Sequence, residues 1–256
     1  MLEAKGLSFG YDKKPILKDI SFSASRGQVI SLIGPNGSGK STLLRCLCGL
    51  LPTGKETVRI LDKPLGRYSS RELSRVIAFL PQMQERVSSI SVYELVGMGR
   101  APYHRSGWFL DGEDHRKIRW AIGYMGLDSL VNRPIDMLSG GERQRAWIAM
   151  VLAQDTPIIL LDEPVTYMDL KFQWDLLTVL RDLRNSFQKT VISVFHDINH
   201  ALEISDRVYL LKDGRIHSTG TSDQVITERS ILEVFDIGTH VCRFKKCRRP
   251  VVVPCG

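Results

Sequence analysis

Between the apolar run Val29-Ile30-Ser31-Leu32-Ile33 and a helical pattern opening at Lys40, the chain reads Gly34-Pro35-Asn36-Gly37-Ser38-Gly39-Lys40-Ser41. This is G-x4-G-K-[ST] in the context where the motif has a mechanism, after a strand and at the start of a helix. Glycines let successive backbone N–H groups converge on one point, and the helix N-terminus adds its partial positive charge there. Lys40 brings an ammonium to β- and γ-phosphates, the Ser41 hydroxyl is a ligand for Mg2+, and Thr42 reaches an α-phosphate. Strand, glycine loop and helix open a doubly wound α/β unit. By itself the loop specifies a nucleotide phosphate and no more.

The remaining pattern extends that architecture. Short apolar runs at Leu7–Phe9 and Ile16–Phe22 precede the loop, and residues 58–80 alternate before Pro81. From about 86 to 137 helical periodicity dominates, with Val92, Leu95 and Val96, then Ile118, Ala121, Ile122 and Met125, so an inserted helical lobe is expected. Helices are expected over 143–153, 170–186 and 199–204, and strands over 158–161, 191–195, 207–211 and 216–218. Helix and strand alternate, which argues for a mostly parallel sheet. One domain over 1–256 is expected, with a core of 1–85 and 150–240, the lobe of 86–149, and a basic C-terminal tail of 241–256.

Two further patterns carry chemistry. Ile158-Ile159-Leu160-Leu161-Asp162-Glu163 sets two acids at the C-terminal end of an apolar strand, the end where open α/β sheets bind ligands. A buried carboxylate needs a cation, so Asp162 reads as a holder of Mg2+ and Glu163 as the base that polarises an attacking water. Leu138-Ser139-Gly140-Gly141-Glu142-Arg143-Gln144 is a second glycine loop at a helix start. An ordinary capping box from Ser139 to Glu142 explains the start. It leaves Gly140 and Gly141 unexplained, and a second anion-directed helix end suggests that two chains share each nucleotide.

Composition narrows the class. Hydrophobic residues make up 43% and charged residues 25%, enough apolar surface to fold and too little Gly and Pro for a fibrous chain. No apolar run approaches the roughly 18 residues of a membrane span. The N-terminus, Met1–Gly6, has no apolar stretch of the secretory kind, so the chain is expected to stay in the cytoplasm. The net charge of +7 is concentrated partly in Arg243, Lys245, Lys246, Arg248 and Arg249, read as a solvated tail. Five cysteines without a secretion signal do not read as a disulfide framework. Cys46 and Cys48 read as core residues, and Cys242, Cys247 and Cys255 lack zinc spacing.

LSGGERQ, with the phosphate loop before it and IILLDEP after it, resembles the signature of ATP-binding cassette (ABC) ATPases, and the match covers nearly the whole chain. The resemblance implies a P-loop NTPase (RecA-like) α/β core with an N-terminal antiparallel β part and the helical lobe. It makes Gly34 to Thr42 the Walker A loop, Tyr11 the aromatic that stacks on adenine, and Gln82 the glutamine that reaches Mg2+ and the attacking water. It makes Ser139, Gly140 and Gly141 the signature that contacts ATP, Asp162 the Walker B aspartate, Glu163 the catalytic glutamate, Asp169 the D-loop residue and His196 the switch histidine at the γ-phosphate. ATP and Mg2+ are the implied cofactors. The implied assembly is a head-to-tail homodimer, each ATP lying between one chain's Walker A loop and the partner's signature, and its opening drives integral membrane permease subunits.

Arg145–Met150, Leu152–Thr156, Glu163–Leu170 and Val96–Tyr103 resemble the ATPases of iron-siderophore, haem and cobalamin importers. Val165 and Met168 depart from the usual Thr and Leu, near-isosteric or apolar swaps that leave the chemistry intact. The resemblance implies an iron(III)-siderophore as cargo, with haem, cobalamin or molybdate as alternatives. It also implies a periplasmic or surface binding protein acting indirectly, a place on the cytoplasmic face of the inner membrane, and a partner helix received around Gln82 to Arg105. A soluble ABC ATPase acting on nucleic acid would suit the charge but usually carries two cassettes or a long coiled coil, so no nucleic acid is expected. A nucleotide-gated module without hydrolysis is opposed by Glu163, Gln82 and His196. An exporter is compatible with the core motifs.

Overall fold

A computed structural model describes residues 1–12, 14–82, 89–104, 110–165, 168–244 and 249–255. In chain order the elements begin with β1 (Leu2–Tyr11), β2 (Lys14–Ala24), β3 (Val29–Ile33), α1 (Lys40–Leu47), β4 (Val58–Ile60) and β5 (Lys63–Pro64). There follow α2 (Ser70–Ser74), β6 (Ile77–Leu80), α3 (Val92–Met98), α4 (Gly112–Tyr124), α5 (Gly140–Ala153), β7 (Ile158–Asp162) and α6 (Leu170–Asn185). The last are β8 (Thr190–Val194), α7 (Ile198–Ile204), β9 (Arg207–Lys212), β10 (Arg215–Gly220), α8 (Ser222–Val225), α9 (Glu228–Phe235), β11 (Thr239–Cys242) and β12 (Val251–Pro254). The chain divides into two compact units, Met1–Tyr68 with Leu177–Gly256, and Ser69–Leu176.

In the first unit β3 lies between two parallel neighbours, β8 and β9, and β10 closes antiparallel onto β9. Every residue of β3 and β8 is buried, as strands covered on both faces must be, which is why their sequences run apolar without alternation. The serine on β3 is reconciled locally. Ser31 Oγ meets Ser205 Oγ at 2.5 Å. Buried Tyr209 spends its hydroxyl on Ser23, accepting from the backbone N–H at 2.9 Å and donating to the carbonyl at 2.9 Å. The N-terminal strands form the expected antiparallel part, β1 pairing with β2 and β4, and β4 with β5. Cys46 and Cys48 are buried on and just after α1, and burial, with Cys48 beside it, pushes the Cys46 thiol up to about 12.

In the second unit β6 and β7 pair in parallel, with α3 and α4 packed on α5. The α3–α5 approach is close: a Cβ on Gly99 would lie 2.3 Å from the Met150 carbonyl oxygen. Four helices here start with reciprocal capping boxes, Ser69/Glu72, Ser91/Glu94, Asp111/Asp114 and Ser139/Glu142. Asp114 has a second task. It is 2% exposed and accepts from Arg100 Nε at 2.8 Å, while His104 Nε2 lies 2.6 Å from its other oxygen. Arg100 also donates to the Ala153 carbonyl at 2.9 Å, tying α4 to the end of α5. Burial raises the Asp114 carboxyl, but the hydrogen bonds from Arg100 and the Asp111 backbone, with the Arg100 and His104 charges, outweigh it and hold it below the usual carboxylate range.

Two expectations on organisation differ from what is found. Residues 58–80 do not alternate throughout, because the Ser69–Glu72 box starts helix α2 between β5 and β6. Residues 241–256 are not only a solvated tail: β11 and β12 pair as an antiparallel hairpin, Cys242 opposite Val251. Lys245, Lys246, Cys247 and Arg248 lie outside the described residues, as do Thr166, Tyr167 and Arg105. Among the described residues no helix is long and apolar enough to cross a membrane.

Candidate functional site: a phosphate loop and a carboxylate strand end

The loop leaving β3 is shaped by its own backbone. A Cβ on Gly34 would sit 2.2 Å from the Leu211 carbonyl oxygen, so β9 approaches too closely for any side chain there. Gly39 holds φ +102 as the N-cap of α1 and gives that helix no side-chain cap. The first-turn N–H groups of α1 are thus left for an anion. Lys40 is 5% exposed, and its ammonium donates back over the loop to the Gly34 carbonyl at 2.8 Å and the Pro35 carbonyl at 3.0 Å. Ser38 Oγ is buried in the loop without a hydrogen-bond partner among the described residues. Asn36 and Gly37 are exposed, Pro35, Ser41 and Thr42 half-buried. An anionic ligand with several oxygens fits a buried ammonium, an orphaned hydroxyl and uncapped amides together.

His196 leaves the same edge. Leu32 lies opposite Val194 in the parallel β3–β8 pair, and the Phe195 N–H donates to the Leu32 carbonyl at 3.3 Å. The chain then emerges at exposed His196, with Asp197 capping α7. Tyr11, at the end of β1, is 46% exposed and edge-on to Phe9, with ring centroids 4.9 Å apart.

In the second unit the parallel β6–β7 pair, Leu80 opposite Leu161, sends Gln82 and Glu163 out at one edge. Gln82 Nε2 donates to Glu163 Oε2 at 2.5 Å. Asp162, the last residue of β7, is fully buried; Glu163 follows with φ +55 and 7% exposure. That left-handed backbone turns Glu163 out of the strand's alternation and under the Gln82 amide. Ser139 accepts from the Glu142 N–H at 3.3 Å, and Glu142 Oε2 takes the Ser139 N–H at 2.9 Å and hydroxyl at 2.8 Å. These bonds, the backbone one foremost, hold the Glu142 carboxyl below its ordinary value. A Cβ on Gly141 would meet nothing within 4 Å, so the chain's own packing gives no reason for glycine there. Asp169 Oδ1 accepts from the Phe172 N–H at 3.0 Å at the start of α6.

Gln144 stands in the signature and received no task from the sequence. It is 4% exposed, and its Nε2 donates to the Pro164 carbonyl at 3.0 Å, fastening the signature helix to the turn after Glu163. A polar residue leading into the apolar stretch Ala146–Ala153 of α5 was the available signal. Among the described residues no three His, Cys, Asp or Glu converge on a metal position. Mg2+ takes a few protein oxygens and completes its shell with water and phosphate. The Ser41 hydroxyl, the Asp162 carboxylate and the Gln82 amide oxygen are donors of the right hardness.

Residues 17–166 match the family model described as ABC transporter. The iron(3+)-hydroxamate import ATP-binding protein FhuC of Bacillus subtilis (strain 168) is 39% identical, over 98% of this chain and 93% of its own. The ferric enterobactin transport ATP-binding protein FepC of Escherichia coli (strain K12) is 35% identical, over 100% of this chain and 94% of its own. Among solved structures, an inward-facing putative metal-chelate type ABC transporter superposes with a TM-score of 0.86 at 27% identity, covering 100% of this chain and 97% of that one. The dimeric cassette MJ0796 with ADP and Pi bound gives 0.77 at 28% identity, over 87% of this chain and 99% of that one. With a phosphate loop, a carboxylate-ended strand and a signature helix in family order, this chain belongs to the ABC transporter family as one of its ATP-hydrolysing subunits.

Proposed function

We propose that the chain energises uptake of an iron(III)-siderophore as a homodimer held at the cytoplasmic face of the membrane by permease subunits. The observation that supports the nucleotide part of the reading is the phosphate loop, which brings together a buried ammonium, the orphaned Ser38 hydroxyl and a helix start without a side-chain cap. In this reading the amides of 34–41 cradle the phosphates, Lys40 lies between β and γ, Thr42 meets α, and Tyr11 stacks on adenine. Ser41, Asp162 and Gln82 would hold Mg2+, which neutralises developing phosphate charge. Glu163 orients the attacking water and takes its proton, and His196 contacts the γ-phosphate. Recruiting Gln82 to the nucleotide releases the Glu163 oxygen that its amide covers, so binding itself readies the base.

Ser139, Gly140 and Gly141 reach the ATP of the partner chain, and the open space over Gly141 supports that approach; Asp169 lies at the same chain-to-chain contact. Loss of the γ-phosphate removes the charge between two sets of amides and lets the dimer open, which moves the permease. A periplasmic or surface binding protein delivers cargo without touching this chain. The siderophore assignment is supported by the hydroxamate and enterobactin relatives. Its test is genetic and biochemical together: cells lacking the chain lose uptake of radiolabelled ferric siderophore and regain it with the native chain but not with Glu163→Gln. Loss of haem, cobalamin or molybdate uptake with siderophore uptake intact would reassign the cargo.

A further inference from the structure

The β11–β12 pair has four residues to a strand, and a two-stranded ribbon is marginal alone. One side chain pins each of its edges. On the β12 edge, Asn199 Oδ1 accepts from the Val252 N–H at 2.8 Å and Asn199 Nδ2 donates to the Val252 carbonyl at 3.2 Å. The Asn199 amide therefore pairs with both backbone groups of Val252 as a neighbouring strand would. On the other edge, opposite Val252, the Val241 N–H donates to Glu228 Oε1 at 3.0 Å, at the start of α9. Val252 is 7% exposed, so the docking also buries apolar surface.

Asn199 sits in the first turn of α7, its own N–H donating to Asp197 Oδ1 at 2.8 Å, three residues after His196. A helix of seven residues has little stability of its own and takes its position from what it packs on. We infer that the β11–β12 pair is a positioning element for His196: the two-bond clamp from Asn199 to Val252 fixes the first turn of α7 and through it the loop carrying the histidine. The inference rests on the reading of His196 as the γ-phosphate contact. Asn199 and Val252 are positioning residues and touch no substrate.

The test uses the full chain with Asn199→Ala and, separately, Val252→Pro. Proline at 252 removes the N–H that Asn199 Oδ1 accepts and leaves the carbonyl that Asn199 Nδ2 meets, and it carries the test should Asn199→Ala fail to fold. ATP affinity, kcat and the imidazole NMR resonance of His196 are read, the resonance being assigned by its loss in His196→Gln. Both variants are expected to bind ATP as the native chain does, to shift the His196 resonance, and to lose about tenfold in kcat, the scale of a small misplacement at the reacting centre. An unmoved His196 resonance in either variant, once native circular dichroism shows it folded, overturns the inference. A His196→Gln chain with native kcat would instead sink the role of the histidine and leave the clamp's effect on its resonance standing.

Discussion

Replacing Lys40 by methionine keeps the length and most of the volume of a side chain that is 5% exposed, and removes only its charge and donors. Two losses follow, and they separate by assay. Without nucleotide, the Gly34 carbonyl loses its donor at 2.8 Å, whereas the Pro35 carbonyl keeps the Ser38 N–H at 3.2 Å. One buried carbonyl left wanting costs about 1–3 kcal/mol, and about 2–4 °C of melting temperature per kcal/mol in a chain of this size. With nucleotide, charge-assisted bonds to phosphate worth about 1.5–3 kcal/mol disappear, and the upper value is about a hundredfold in affinity. At an ATP concentration about 100 times the native Kd, ligand stabilisation is about 2.7 kcal/mol; a hundredfold weaker variant retains about 0.4. Thermal melts with and without ATP therefore report both numbers from one preparation. A variant that melts lower alone yet gains the full native increment with ATP would mean that Lys40 serves its own loop and not a phosphate.

Glu163→Gln is expected to keep ATP binding and to cut phosphate release by about 10²–10⁴, the usual worth of a positioned base; native turnover would remove Glu163 from that role. Ser139→Tyr is expected to spare binding by the single chain and to abolish the ATP-dependent dimer in the Glu163→Gln background, read by light scattering. Gly99→Ala forces a Cβ to within 2.3 Å of the Met150 carbonyl and should cost about 1–3 kcal/mol in a urea melt. Because the Asp114 carboxyl is held low in the fold, its stabilisation is present above the ordinary value of 3.8 and fades as pH falls through the folded value. Asp114→Asn should therefore lose about 3–5 kcal/mol at pH 7 and converge on the native chain in acid; an offset independent of pH would refute the ion pair.

What the sequence yields and withholds follows from how far apart the cooperating residues stand. The phosphate loop is contiguous, so strand, turn and helix start are legible together from Val29 to Ser41. The bond from Gln82 to Glu163 spans 81 positions, and only the parallel β6–β7 register, which no spacing rule reveals, brings the two to one edge. Gln144 and Asn199 were hidden differently: each is a polar residue whose amide serves a backbone group far away in sequence. The β11–β12 hairpin escaped because its strands have four residues each and bracket a cationic stretch that reads as solvated. Arg100 and Asp114 look like surface charges until the Ala153 carbonyl and the His104 ring enclose them.

The register of β3 also dictates the order in which the molecule can be born. Val29 lies opposite Val191 and Ile30 opposite Arg207, so the strand that launches the phosphate loop emerges from the ribosome long before either of its neighbours. Such distant pairings close slowly, because loop entropy must be overcome before contacts reward it. During that interval the nascent segment has the complete motif and no scaffold to spread its amides. Nucleotide can therefore recognise and hold the finished fold, but it cannot guide the half-made chain toward it.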